Sequence, residues 1–208
     1  LAGLKSVEES EKYKKLYWDV NYNGTKNLVE IMEENNCYKL IFSSSATIYG
    51  INNSILKEDS LIKPINTYGK TKFAVEKFAE EKFRSNPKLW NIINLRYFNP
   101  IGGHSSGILG EVISNKSNNL FPLLCMVANN DREYLEILGD GSQRKSFLDV
   151  SDGVRGIIQL INHTTKSEIF NLGHSEIMSV KDLADIVCKS LAINEIKYKF
   201  SGSQRGWI

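Results

Sequence analysis

The sequence predicts an α/β fold, with a parallel sheet covered by helices. Helix-patterned and strand-patterned segments alternate through the first hundred residues, at 25–36, 38–42, 68–85 and 89–98. The strand segments are continuous apolar runs, as expected of parallel strands buried on both faces. The stretch 100–119 then carries four glycines and breaks the alternation. Loops that long in compact domains usually serve function.

The elements follow in order. In 25–36, Leu28, Ile31 and Met32 have helical spacing, with Thr25 placed to cap the start and Asn35-Asn36 the end. The short apolar strand Tyr38-Lys39-Leu40-Ile41-Phe42 runs into Ser43-Ser44-Ser45, a polar cluster suited to an exposed strand end. Residues 50–66 read as a loop. Phe73, Val75, Phe78, Ala79 and Phe83 pattern a long helix from Tyr68 to about Ser85, stopped near Pro87. Ile92, Ile93 and Leu95 mark the strand 89–98. Further on, a strand at 134–138 ends in Gly139-Asp140-Gly141, and 146–150 is extended. Ser151 opens a helix through Ile161, 168–172 is a strand, and Ser179 with Asp182 forms a capping box opening a helix to about Leu191.

Composition narrows the function classes. Of 208 residues, 41% are hydrophobic, enough for a packed core and against disorder. The longest apolar run, around 120–128, falls far short of the ~20 residues of a membrane helix. Lys plus Arg is 26 and Asp plus Glu 24, so charge gives no reason to expect nucleic acid or an anionic membrane. Cys37, Cys125 and Cys188 are odd in number and far apart, which points to buried free thiols in a reducing, cytoplasmic setting. No histidine spacing suggests a metal site. The length lies between one domain and two at ~150 residues each. With Leu1 at the start, no signal-peptide pattern and no tail after Ile208, the chain is expected to be a fragment.

The candidate chemistry lies in Tyr68-Gly69-Lys70-Thr71-Lys72. Tyr68 and Lys72 are four apart, on one face of a helix that begins after a loop, so both can point to the C-terminal edge of the sheet, where open α/β folds bind ligands. A tyrosine with its usual pKa of about 10 is a poor base at neutral pH; reaching 7 takes roughly 4 kcal/mol. One positive charge about 4 Å away supplies roughly that much at an effective dielectric of about 20. Lys72 is therefore expected to lower the Tyr68 pKa almost alone. The spacing by itself also fits a surface lysine beside a packed tyrosine. Ser45, at a strand end 23 residues upstream, adds a hydroxyl at the same edge.

Together Ser45, Tyr68 and Lys72 resemble the catalytic triad of the short-chain dehydrogenase/reductase superfamily, in its extended branch. More stretches are similar to the sugar-nucleotide 4-epimerases of that branch and occur in family order. They include Ala2-Gly3-Leu4-Lys5, Asn21-Tyr22-Asn23-Gly24-Thr25, Ser43-Ser44-Ser45-Ala46-Thr47-Ile48-Tyr49-Gly50, Leu95-Arg96-Tyr97-Phe98-Asn99-Pro100, Asn118-Asn119-Leu120 and Phe170-Asn171-Leu172-Gly173. The resemblance implies a Rossmann-like, doubly wound parallel sheet lacking its N-terminal half, over 1–102 with a return at 144–175. It implies a smaller substrate-binding domain in 103–143 and 176–208.

The resemblance also implies NAD as cofactor and a UDP-hexose as substrate, interconverting UDP-glucose and UDP-galactose through a 4-keto intermediate. Tyr68 would be the base, Lys72 its partner and ribose ligand, and Ser45 the hydrogen-bond partner of the reacting oxygen. Ala2, Gly3, Lys5, Asn21 and Tyr97 match cofactor-side positions; Asn21 reads equally well as a helix cap. Asn99, Asn119, Leu120 and Arg205 match contacts to the sugar-nucleotide phosphates, although Arg205 also reads as a solvated terminal residue. Glu136 and Leu138 match strand positions whose backbone pairs with uracil. Lys145 stands where the family has an arginine, with Arg144 beside it, and Thr67 where a proline is common. Ala46 and Thr47 replace the Asp-Glu pair of the related dehydratases. The 208 residues hold no Gly-rich dinucleotide loop. Epimerases of N-acetylhexosamines or uronic acids, and a cofactor-sensing scaffold, stay open. Helices 25–36 and 68–85 match those that form a homodimer in the family.

Overall fold

A computed structural model of the chain describes residues 3–52, 55–111, 119–163 and 166–202. The first half holds α1 (Val7–Lys12), α2 (Lys14–Tyr17), a π-helical turn Trp18–Asn23, α3 (Gly24–Glu34), β1 (Lys39–Ser45), a 3-10 turn Ala46–Tyr49, α4 (Thr67–Ser85), β2 (Asn91–Tyr97) and β3 (Asn99–Ile101). There follow α5 (Leu120–Ala128), β4 (Leu135–Leu138), β5 (Arg144–Asp149), α6 (Val150–His163), β6 (Glu168–Leu172), β7 (Ile177–Ser179), α7 (Val180–Leu191) and β8 (Tyr198–Ser201). The chain divides into two compact units. One comprises residues up to Phe98 with Ile157–Leu172; the other comprises Asn99–Gly156 and Gly173–Gly206.

In the first unit β1, β2 and β6 form a parallel sheet in the order β1-β2-β6, with Ser45 opposite Tyr97 and Tyr97 opposite Leu172. β2 is buried on both faces through its centre, whereas β6 is partly exposed. Ile93 and Leu95 are wholly buried, and removing each from water stabilises the fold by about 2 kcal/mol. On one face Val29 of α3 and Ala79 of α4 pack against Ile92 and Trp90. The 3-10 turn buries Ile48 and Tyr49 against Phe73 and Phe98. The turn ends at Gly50, whose φ is 70°, and a Cβ there would lie 2.1 Å from the Lys63 carbonyl oxygen. Only glycine satisfies both demands.

The second unit has β3-β5-β7, in which β3 runs parallel and β7 antiparallel to β5, and the parallel pair β4-β8. Its core joins Leu124 of α5, Leu135 and Ile137 of β4, and Leu183, Ala184 and Val187 of α7. The Ser179–Asp182 capping box is formed, and α7 ends at Leu191 as the sequence suggests.

Several boundaries differ from the sequence reading. β1 runs on through Ser45, so the three serines belong to the strand. α3 starts at Gly24, and Thr25 does not cap it; its hydroxyl donates back to the Asn21 carbonyl. α4 is capped by Asn66, and α6 starts at Val150 with the Asp149 carboxylate accepting from the Ser151 N–H. The segment expected to return to the sheet at 144–175 is split: β5 pairs in the second unit, and 157–172 belong to the first. The thiols are not uniformly buried. Cys188 is buried, Cys125 half-buried and Cys37 exposed, because Cys37 sits in the turn that closes α3, its N–H bonded to the Met32 carbonyl. Among the described residues no helix is long and apolar enough to cross a membrane.

Candidate active site

The first unit gathers its chemistry where α4 meets β1. Helix starts leave four N–H groups without helical partners. In α4 three of these are satisfied by side chains: Thr67 N–H donates to Glu11 Oε1 at 2.6 Å, Tyr68 N–H to Ser10 Oγ at 3.1 Å and Gly69 N–H to Asn66 Oδ1 at 2.7 Å, and the helical ladder opens with Lys70 N–H to the Asn66 carbonyl at 3.0 Å. Two of these caps come from α1, so the position of Tyr68 is set by a different helix. The Thr67 N–H also holds the Glu11 carboxyl below its ordinary pKa. The sequence reading missed Ser10 and Glu11, because a cap borrowed from 58 residues away leaves no local pattern.

Tyr68, Lys72 and Ser45 lie together at this junction. The Lys72 ammonium donates to the Ser43 carbonyl at 2.8 Å and lies 5.6 Å from the Tyr68 ring centre. It also lies 5.0 Å from the Phe42 ring. The electrostatics differ from the expectation that Lys72 almost alone makes Tyr68 acidic. Burial pushes the Tyr68 phenol above its ordinary pKa, with the Ser45 hydroxyl pulling partly the other way. Desolvation also lowers Lys72, to about 8. Burial thus disfavours both charges, and a lysine 5.6 Å from the ring centre does not outweigh it.

Asn21 is neither a simple cap nor free to reach a ligand. It is buried in the π-helical turn, where its amide accepts from the Leu4 N–H at 2.8 Å and donates to the Leu4 carbonyl at 3.0 Å and to Thr71 Oγ1 at 3.4 Å. It thereby fixes the segment holding Gly3 and Lys5, both exposed, beside the residue before Lys72. π-Helical turns often mark functional sites. Tyr97 ends β2, half-buried, with its phenol raised by burial and eased by Ser43. Ala2 lies outside the described residues.

The second unit holds the remaining candidates. Asn99 in β3 donates to the Ser146 carbonyl at 3.0 Å. Asn119 precedes α5 and donates to Glu111 at 2.6 Å, while Leu120 packs on the core. Lys145 in β5 is half-buried, and desolvation lowers its pKa. The Glu136 side chain accepts from Ser201 Oγ, so this side chain is already engaged. The N–H groups of Leu135 and Gly139 donate toward β8, and strand geometry turns the backbone of Glu136 and Leu138 toward the opposite edge of β4. Arg205 lies outside the described residues.

Solved structures of UDP-glucose 4-epimerases match the fold of this chain closely. The enzyme from Stenotrophomonas maltophila, with bound NAD and formylated UDP-arabinopyranose, is 28% identical with a TM-score of 0.94. That from Bifidobacterium longum, in complex with NAD+ and UDP, is 32% identical with a TM-score of 0.92. Each match covers all of this chain and 64% of the solved chain. UDP-glucose 4-epimerase 2 of Oryza sativa is 42% identical across 88% of this chain and 47% of its own length. UDP-glucose 4-epimerase of Dictyostelium discoideum is 36% identical across 99% of this chain and 62% of its own. This chain thus spans about half to two thirds of its relatives, with the Rossmann-like α/β fold of those structures. Residues 1–173 match the NAD dependent epimerase/dehydratase family, and the chain belongs to that family.

Proposed function

We propose that the protein is a UDP-hexose 4-epimerase that interconverts UDP-glucose and UDP-galactose with NAD as cofactor. The observation that carries this reading is the meeting of Tyr68, Lys72 and Ser45 on α4 and β1.

The residues present fit the nicotinamide-ribose end of NAD. The half-buried Lys72 ammonium spends one hydrogen bond on a backbone carbonyl and keeps others to offer a ribose diol. Gly3 and Lys5, held by Asn21, and the half-buried Tyr97 complete that side. NAD, when bound, supplies the acceptor that takes hydride from sugar C4 and returns it.

Tyr68 takes the proton of the 4-hydroxyl at its phenol oxygen and returns it after the 4-keto sugar has turned over. Ser45 holds the reacting oxygen by a hydrogen bond. Because burial opposes the phenolate, Lys72 acts with the positive charge of the oxidised cofactor, not alone. Lys145 suits a diphosphate: its ammonium is half-buried, and the described residues offer it no ion-pair partner. Asn99, Asn119, Leu120 and Arg205 take further contacts to that group. The edge of β4 away from β8, unpaired among the described residues, offers the backbone of Glu136 and Leu138 to uracil. A homodimer through α3 and α4 is supported by Leu28 and Ile31, which share one stripe of α3 yet are 49% and 55% exposed.

Tyr68→Phe in the full-length protein is expected to abolish epimerisation with UDP-sugar binding retained. Activity near wild type sinks this reading.

A further inference from the structure

Arg96 and Glu76 form an ion pair whose side chains are only 2% and 4% exposed. Arg96 Nε and Nη2 donate to the two Glu76 oxygens at 3.0 and 2.7 Å, a bidentate fork. The other guanidinium nitrogen donates to Tyr49 Oη and to the Glu58 carbonyl, each at 2.8 Å. Glu76 also accepts the Ser44 hydroxyl of β1, at 2.5 Å. Burying two charges gives little net stability even when well paired, and apolar residues of the same volume often do better. Fixing a register is the best-attested use of such a pair.

The sequence spacing shows which register is held. Tyr68, Lys72 and Glu76 are each four residues apart, so they form one stripe of α4. All three meet the same tripeptide: Tyr68 at the Ser45 hydroxyl, Lys72 at the Ser43 carbonyl and Glu76 at the Ser44 hydroxyl. Arg96 lies opposite Ser44 on β2 and holds the Glu76 carboxylate from the neighbouring strand. A slide of one helical turn, ~5.4 Å, would remove Tyr68 from Ser45.

We infer that Glu76 and Arg96 are positioning residues, a clamp that sets α4 on β1 through Ser44 so that Tyr68 and Lys72 meet Ser45. The inference rests on the proposed epimerase reading for its kinetic consequence. Arg96 also engages Glu76, a carboxylate one turn from Lys72, and so keeps Lys72 directed to the Ser43 carbonyl.

The test uses S44A and the apolar replacement S44A/E76L/R96M in the full-length enzyme. Both are expected to fold, with kcat lowered about tenfold or more and KM for the UDP-sugar within about twofold. If either folded variant keeps kcat within twofold of wild type, the clamp is merely structural and the inference falls. Should the triple variant not fold, S44A decides alone. A second readout is independent of turnover: the Tyr68 phenol, titrated by difference absorbance against Y68F, should shift by half a pH unit or more in S44A. An unshifted titration also overturns the inference. Y68F that still epimerises defeats the functional reading instead, and leaves the titration to judge the clamp.

Discussion

Lys72 shows how one side chain reports its surroundings. A lysine whose pKa falls to about 8 on folding binds fewer protons folded than unfolded. Its cost to stability is therefore greatest below pH 8 and fades as pH rises through the lysine's ordinary value. Lys72→Met should raise stability at pH 7 by about 1–2 kcal/mol, and the gain should vanish near pH 10.5; thermal unfolding of both proteins at the two pH values checks this. The three serines show what the sequence could and could not tell. Their presence at a strand end was legible from composition, and Ser45 could be singled out by its resemblance to a known triad. Their division of labour was not, because Ser43 acts through its carbonyl and Ser44 through a glutamate 32 residues away. Deleting any one of the three yields the same shortened protein, yet the deletion turns the rest of β1 to the opposite face. Such a variant should lose both the Lys72 anchor and activity.

At the level of elements, α4 is placed by the caps at its start and by Glu76 near its middle. Asn66→Ala removes its side-chain cap and should cost about 1 kcal/mol in denaturant unfolding, with a fall in kcat because Tyr68 lies two residues on. Gly69→Ala should act through packing: a Cβ there would lie 2.9 Å from the Thr47 carbonyl oxygen, pressing α4 away from the turn that follows Ser45. Loss of activity exceeding loss of stability is the expected result. Periodicity found the long helices and the apolar strands, since their apolar residues repeat at 3.6 or run unbroken. It missed α1, α2, β3, β7 and β8, which are three to six residues long, and it left the apolar run of α5 unassigned. It also missed the π-helical turn, where one residue more per turn lets Asn21 swing inward to Leu4.

For the whole molecule, the proposed dimer gives a direct measurement. Ile31→Glu on α3 should convert the full-length protein from dimer to monomer in sedimentation experiments, with little change in the unfolding of the protomer, because Ile31 is already 55% exposed. The division into two units was only partly legible. The first unit reads as a continuous α/β pattern, whereas the crossings of the chain depend on pairings between remote strands. Those crossings, at 98–99, 156–157 and 172–173, bear on synthesis. The last strand of each sheet, β6, β7 or β8, lies beyond residue 167. A nascent chain leaving the ribosome can therefore pair β1 with β2 early, but it closes no sheet until nearly all of this sequence has emerged. Among the described residues, each sheet thus gains its final strand only after residue 167. A chain cut at residue 98 would expose the apolar side of β2 to chaperones, and would not behave as an independent domain.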